Sequence, residues 1–168
     1  MARDFKFFGR DMQKLADEAK KQLVDDVGKI VKKEGVNHFT HSWDNQGFED
    51  EGVEKWKPRK APRQFNKNGT VSKTYKRFMR KNGRPILYSH GGSDRKGTHL
   101  RDSIKARRSG RRIIFSTNKA YAKVHNEGGR AGRGRGFIMP RRKFMGRSAA
   151  LERKIEKKID NYMNELFK

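Results

Sequence analysis

The 168-residue sequence predicts an α+β fold: a long N-terminal helix, a small antiparallel sheet with a β-hairpin, a C-terminal helix, and a long basic loop between the first helix and the sheet. Three observations predict it. Apolar residues recur at three- and four-residue spacing over the first thirty positions, alternation of period two runs through 102–117, and helical spacing returns after Ser148. The length suits one domain spanning 1–168, since a core of that size is buried by a single packed unit.

From Asp4 to about Glu34, Phe5, Phe8, Met12, Leu15, Ala19, Leu23, Val27 and Ile30 form one apolar stripe, and Gly35 just beyond it is placed to end the helix as a C-cap. Lys14, Asp17, Glu18, Lys20, Lys21, Asp25 and Asp26 occupy the other side, so one face is wet. A helix of about 30 residues exceeds what a small core needs, and part of it is expected to pack on a neighbouring subunit. Residues 35–56 carry Phe39, Trp43, Phe48 and Trp56 among Asp, Asn and Gly, which reads as irregular structure holding aromatic anchors.

Residues 57–85 combine Pro58, Pro62 and Pro85 with many cations and little apolar periodicity, the pattern of a mobile basic loop or arm. Next, Ile104 and Ala106 alternate with charged residues and the alternation resumes from Arg111 to Thr117, giving a hairpin that turns at Ser109-Gly110 and sets Ile113 and Phe115 on its core face. A further short strand is expected through Tyr121 to His125. Gly128 to Gly136, rich in glycine and arginine, reads as a flexible loop. Ser148 can cap the last helix, which runs through Leu151, Ile155, Ile159, Met163 and Leu166.

The composition is polar, 32% hydrophobic against 37% charged, which points to segments that order only on assembly. The absence of cysteine excludes disulfides, thiolate catalysis and cysteine-type zinc sites, and fits a reducing cytosol. No run approaches the roughly 20 apolar residues of a membrane span, and the first residues lack the apolar core of a signal peptide, so no membrane association and no secretion are expected. Net charge is +24, and it is uneven: residues 1–54 carry −3, residues 55–112 carry +18 and the remainder +9. A block of that density favours a polyanionic or acidic partner. Arg59, Lys60, Arg63, Lys73, Lys76, Arg77, Arg80 and Lys81, with Arg133 and Arg135 of the glycine-rich run, are the candidate contacts; a solvated linker is the plain alternative.

Little in the sequence suggests chemistry, and no cofactor is implied. His38 and His41 have a spacing that could ligate a metal from a helix, but Asn37, Thr40 and Asn45 around them suggest that the helix has ended. His125, Glu127 and Asp94 could be sketched as a nuclease-like cluster, yet the basic block holds too few acids to build one. The glycines of 128–136 lack the Gly-Lys-Ser/Thr ending of a phosphate loop.

His99-Leu100-Arg101-Asp102-Ser103-Ile104, an Arg-rich hairpin ending Ser116-Thr117-Asn118, and Tyr121-Ala122-Lys123-Val124-His125-Asn126-Glu127-Gly128-Gly129 together resemble the phage virion-morphogenesis and tail-completion family. Met139-Pro140-Arg141-Arg142-Lys143-Phe144-Met145-Gly146 is similar to that family's Pro-x-Arg-x-Phe-x-Gly segment. Phe48 with Glu54-Lys55-Trp56-Lys57-Pro58 resembles its Trp-x-Pro segment. The family usually has glycine two residues before the leucine of Leu-x-x-Ser-Ile, where this chain has Thr98 with Gly97 one earlier. The motif residues are therefore Leu100, Ser103, Tyr121, His125, Glu127, Gly128, Pro140, Arg142, Phe144 and Gly146. Tyr121, His125 and Phe144 are expected to be ordinary core residues, the alternative being that their polar tips fix the sheet against a helix, and Arg142 is expected to pair with a carboxylate such as Glu127.

The resemblance implies a non-enzymatic structural protein of a tailed bacteriophage, assembled in the host cytoplasm and residing in the virion. It would act in tail completion or head-tail joining at the neck, often as a ring, with other neck or tail proteins and copies of itself as partners. Phage DNA in the channel is a further candidate contact. The competing reading is a free-standing basic nucleic-acid-binding protein.

Overall fold

The computed structural model describes residues 2–81, 85–87 and 99–167, with side chains from residue 12 onward. Asp94 and the Gly97-Thr98 departure lie outside the described residues. Helix α1 (Ala2–Asp44) is followed by a hairpin of β1 (Gly47–Glu49) and β2 (Val53–Lys55), then by α2 (Lys73–Lys81). A 3-10 turn (Arg101–Ser103) leads into the hairpin of β3 (Lys105–Ser109) and β4 (Arg112–Ser116). Helix α3 (Ala122–Glu127), the hairpin of β5 (Gly129–Ala131) and β6 (Phe137–Met139), and helix α4 (Ala149–Leu166) complete the order. Among the described residues the predicted sheet is thus three separate two-stranded antiparallel pairs in a mixed α+β arrangement.

Helix α1 runs ten residues past its expected end. The stripe of four-residue spacing continues through Val31, Gly35, Phe39 and Trp43, and no proline interrupts it, so 35–44 is helical and His38 and His41 both lie inside the helix. Gly35 is no cap. A Cβ at that position would lie 2.2 Å from Cζ of Phe115, so the glycine lets the β3–β4 hairpin seat against the helix. The helix ends instead at Gln46, whose φ of 47° turns the chain and whose side-chain amide donates to the Trp43 carbonyl at 2.7 Å.

The core sits at this C-terminal end of α1. Phe39, Trp43, Phe48, Trp56, Leu100, Ile104, Ala122, Phe144 and Leu151 are buried together, so the four aromatics expected in irregular structure are instead core residues on a helix and a hairpin. Trp43 packs edge-on against Trp56 at 5.6 Å and tilted against Phe144 at 5.1 Å, while Phe39 meets Phe115 edge-on at 5.1 Å. Helix α4 lies on α1, joined by Tyr162 Oη donating to Asp26 at 3.0 Å and by Lys154 to the buried Glu34 at 3.0 Å. Ser148 caps α4 as expected, accepting from the Leu151 amide at 3.1 Å and donating to the Glu49 carbonyl at 2.8 Å.

The β3–β4 hairpin forms as expected with one shift: Ser109 pairs with Arg112, so Gly110 and Arg111 make the two-residue loop. The strand expected through Tyr121 to His125 is α3. Ala122 is buried and His125, three residues on, is half-buried on the same side of the helix, a spacing that a strand would split between two faces. Residues 128–136 likewise form structure: Gly128, at φ 78°, ends α3 and redirects the chain into a hairpin whose loop is 132–136.

The two central glycines of α1 should respond in opposite directions to alanine. At Gly28 an added Cβ finds ordinary contacts of 3.8–4.0 Å, so Gly28→Ala gains helix propensity and should raise stability by up to about 1 kcal/mol. At Gly35 the clash with Phe115 outweighs that gain, and Gly35→Ala should lower stability by about 1–2 kcal/mol in urea denaturation. Equal behaviour of the two variants would count against the seating of Phe115.

The buried His38 donates from Nε2 to the Glu49 carbonyl at 3.1 Å and stands edge-on to Phe39 and Phe48. Burial holds its pKa below the ordinary 6.5, against the raising effect of that bond and of Glu49. Protons then bind the unfolded chain more readily, so this contribution to stability is complete above the unfolded value and is lost as pH falls from about 6.5 toward the folded value. Denaturation of wild type and His38→Gln between pH 8 and pH 5 should give a shallower acid slope for the variant; parallel curves would exclude the effect.

Candidate interaction surface

The segment 57–85, expected to be a loop throughout, is partly helical. Phe65 and Val71 form an isolated antiparallel bridge closed by the Ser72 amide on the Gln64 carbonyl at 2.8 Å. Ser72 then starts α2, its hydroxyl accepting from the Thr74 amide at 3.2 Å. No proline falls between Arg63 and Pro85, which leaves this stretch free to coil. Along α2, Lys73, Lys76, Arg77, Arg80 and Lys81 recur at the spacing of one helical face, and Tyr75, Phe78 and Met79 fall on the other. That amphipathic spacing is readable in the sequence, and the prolines and cations on either side obscure it.

Of the eight cations singled out here, seven keep their head groups for outside contact. Lys60, Arg63, Lys73, Lys76, Arg77 and Arg80 are exposed and Lys81 is half-buried, and none makes an ion pair among the described residues. Arg59 is used internally: its guanidinium donates to the Lys81 carbonyl at 3.2 Å and to the Pro85 carbonyl at 3.0 Å. It therefore satisfies the C-terminal end of α2, where a cation also opposes the helix dipole. The apolar side of α2 is poorly covered. No residue of the helix is buried, and Met79 remains 48% exposed beside the exposed Phe65 and Val71.

A second cationic feature is the tip of the β5–β6 hairpin. Arg133 and Arg135 are exposed in its loop, which is closed by Arg130 Nη2 donating to the Arg135 carbonyl at 2.9 Å. Phe137 and Ile138 on β6 face solvent, Ile138 with three quarters of its surface free. The sequence reading missed both as exposed apolar residues because it placed no strand there.

The motif residues belong to the frame behind these surfaces. Leu100 and Ser103 are buried, and the Ser103 hydroxyl donates to the Leu100 carbonyl at 2.8 Å with Thr117 Oγ1 2.5 Å away. Phe144 is completely buried. Its amide and that of Met145 both donate to Asn126 Oδ1, at 2.9 and 3.0 Å, which ties α3 to the segment before α4. Pro140 and Gly146 frame that segment, Gly146 at φ 155°. Tyr121 contributes less packing than expected, with 47% of its surface exposed and its ring edge-on to His125 at 5.8 Å.

The expected pairing of Arg142 with Glu127 does not form. Glu127 is exposed at the end of α3, whereas Arg142 is buried, donating to the Lys57 carbonyl at 3.4 Å and Met139 Sδ at 3.4 Å. The Arg142 amide donates to the His125 carbonyl at 2.7 Å, so backbone geometry carries the link that the ion pair was expected to make. Burial, and then the neighbouring Arg59, pull the Arg142 guanidinium below its usual range; burial, and then Arg142, do the same to His125. Helical spacing brings His38 and His41 together only in sequence: His38 bonds the Glu49 carbonyl, while His41 Nδ1 faces Asp44 at 3.3 Å. Among the described residues no group of three or more His, Cys, Asp or Glu could hold a metal ion.

What the arrangement offers is therefore contact: a cationic helix with an open apolar side, and a cationic hairpin, both mounted on an aromatic core. No curated protein and no solved structure matches the chain. The family model described as phage virion morphogenesis matches residues 7–164, nearly the whole length, and the chain belongs to that family.

Proposed function

We propose that this structural virion protein acts in tail completion or in head-tail joining at the neck, without enzymatic activity, as a ring-forming or docking subunit. The observation that carries the reading is the first part of α1. Every residue from 12 to 22 is exposed, including Met12 and Leu15 on the apolar stripe, so about three turns of helix stand clear of the core with their apolar positions wet. A free monomer gains nothing from that extension, whereas a subunit packed among neighbours covers it. The exposed cations of α2 and of the β5–β6 tip suit acidic surfaces of other neck or tail proteins, or the phosphates of phage DNA in the channel.

The mass of the nuclease-treated protein, followed by light scattering at low and high salt, tests this directly. A discrete oligomer free of nucleic acid is expected. A monomer at all concentrations that holds DNA at low salt and releases it steeply as salt rises would replace the proposal with a free-standing nucleic-acid-binding role.

A further inference from the structure

Beyond the cationic surfaces, the chain has one stretch of opposite sign. From residue 34 to residue 54 there is no lysine or arginine, although the chain has 43 of them, while Glu34, Asp44, Glu49, Asp50, Glu51 and Glu54 all fall there. The fold uses part of this set internally. Glu34 pairs with Lys154, Asp44 with Arg101, and Asp50 accepts from the Ala149 amide at 2.6 Å at the start of α4. Glu51 in the loop of the β1–β2 hairpin and Glu54 on β2 are left exposed and without an ion pair among the described residues, near Val53 with 43% of its surface free.

Two copies of a +24 chain repel at long range, so a contact between them must place carboxylates against cations. A symmetric α2-to-α2 contact would oppose five cations with five. A contact between the β1–β2 tip of one copy and α2 of another opposes unlike charges, and it also sets the exposed Val53 beside the open apolar side of α2. A phosphate backbone would satisfy the cations and leave Met79, Val71 and Phe65 wet, which favours a protein occupant that is acidic and partly apolar. We infer that the basic face of α2 in one copy docks on the acidic β1–β2 tip of a neighbouring copy. The two patches differ, so the contact is head-to-tail, the kind that generates a ring when its rotation closes. This inference rests on the ring-forming reading above and names the surfaces that would make the ring.

Charge reversal in the full chain tests it, with the nuclease-treated mass read against concentration and circular dichroism confirming the fold. Lys76→Glu/Arg80→Glu and Glu51→Lys/Glu54→Lys should each weaken self-association at least tenfold, and the four changes combined in one chain should restore it because the unlike charges are exchanged. Met79→Asp should weaken association with the cations intact. Variants that assemble like wild type would overturn this docking and leave the ring reading standing. A wild type that stays monomeric at every concentration would overturn both. Unchanged self-association with loss of bound DNA in the α2 variant would assign α2 to nucleic acid and overturn the inference.

Discussion

The packing of Trp43 on Trp56 and Phe144 is the joint on which the other contacts depend. It brings together the end of α1, the strand leaving the first hairpin and the segment before α4, three stretches separated by up to a hundred residues. Aromatic pairs of this kind add about 0.5–1.5 kcal/mol beyond the area they bury. Their larger effect here is positional. Trp56 donates from Nε1 to the Lys143 carbonyl at 2.7 Å, so the ring that fills the core also fixes the height of the Pro140–Gly146 segment. From that height the Asn126 side chain reaches both the Phe144 and Met145 amides.

A second constraint acts through one backbone atom. The Glu49 carbonyl accepts from His38 on α1 and from Ser148 at the start of α4, so both long helices are referenced to the same strand. A carbonyl has two lone pairs, and both are engaged here by the buried His38 and Ser148, whose donors would cost about 1–3 kcal/mol each if left unmet. With the helices fixed in this way, the Lys154–Glu34 pair and the Tyr162–Asp26 bond follow along the α1–α4 seam. From about residue 23 onward α1 is covered along this seam, whereas residues 12–22 are exposed.

The parts of this architecture legible in the sequence are those written in local periodicity. The stripe of α1, the Ser148 cap and the alternation of 105–116 each repeat a pattern within one element, and each appears in the structure. What was illegible depended on contacts distant in sequence. Gly35 reads as a helix stop unless Phe115, eighty residues later, is known to lie against it. The Tyr121–His125 stretch mixes β-favouring residues with Ala122, and its helix is decided by what Ala122 and Asn126 meet in the core. Glycine-rich 128–136 suggested freedom, yet several of its positive-φ glycines serve a tight hairpin. On the surface, the cations were legible as a charge block; their gathering on one face of α2, and the diversion of Arg59 to cap that helix, required the fold.

The distribution of order along the chain has a consequence for assembly. Buried apolar area is concentrated at one end of α1, while residues 12–22 of that helix, α2 and the β5–β6 hairpin carry apolar residues in contact with solvent. With only 32% hydrophobic residues, the chain cannot cover all of these from within, since the core already takes the large aromatics. High net charge keeps such a subunit apart from its copies while it is free, because repulsion between like-charged chains acts at distances comparable to the Debye length of about 8–10 Å, before short-range apolar contact begins. Association then becomes selective for arrangements that match opposite charges first. In a virion protein this combination joins a core sufficient to hold its shape to a surface on which like charge opposes contact between unmatched faces.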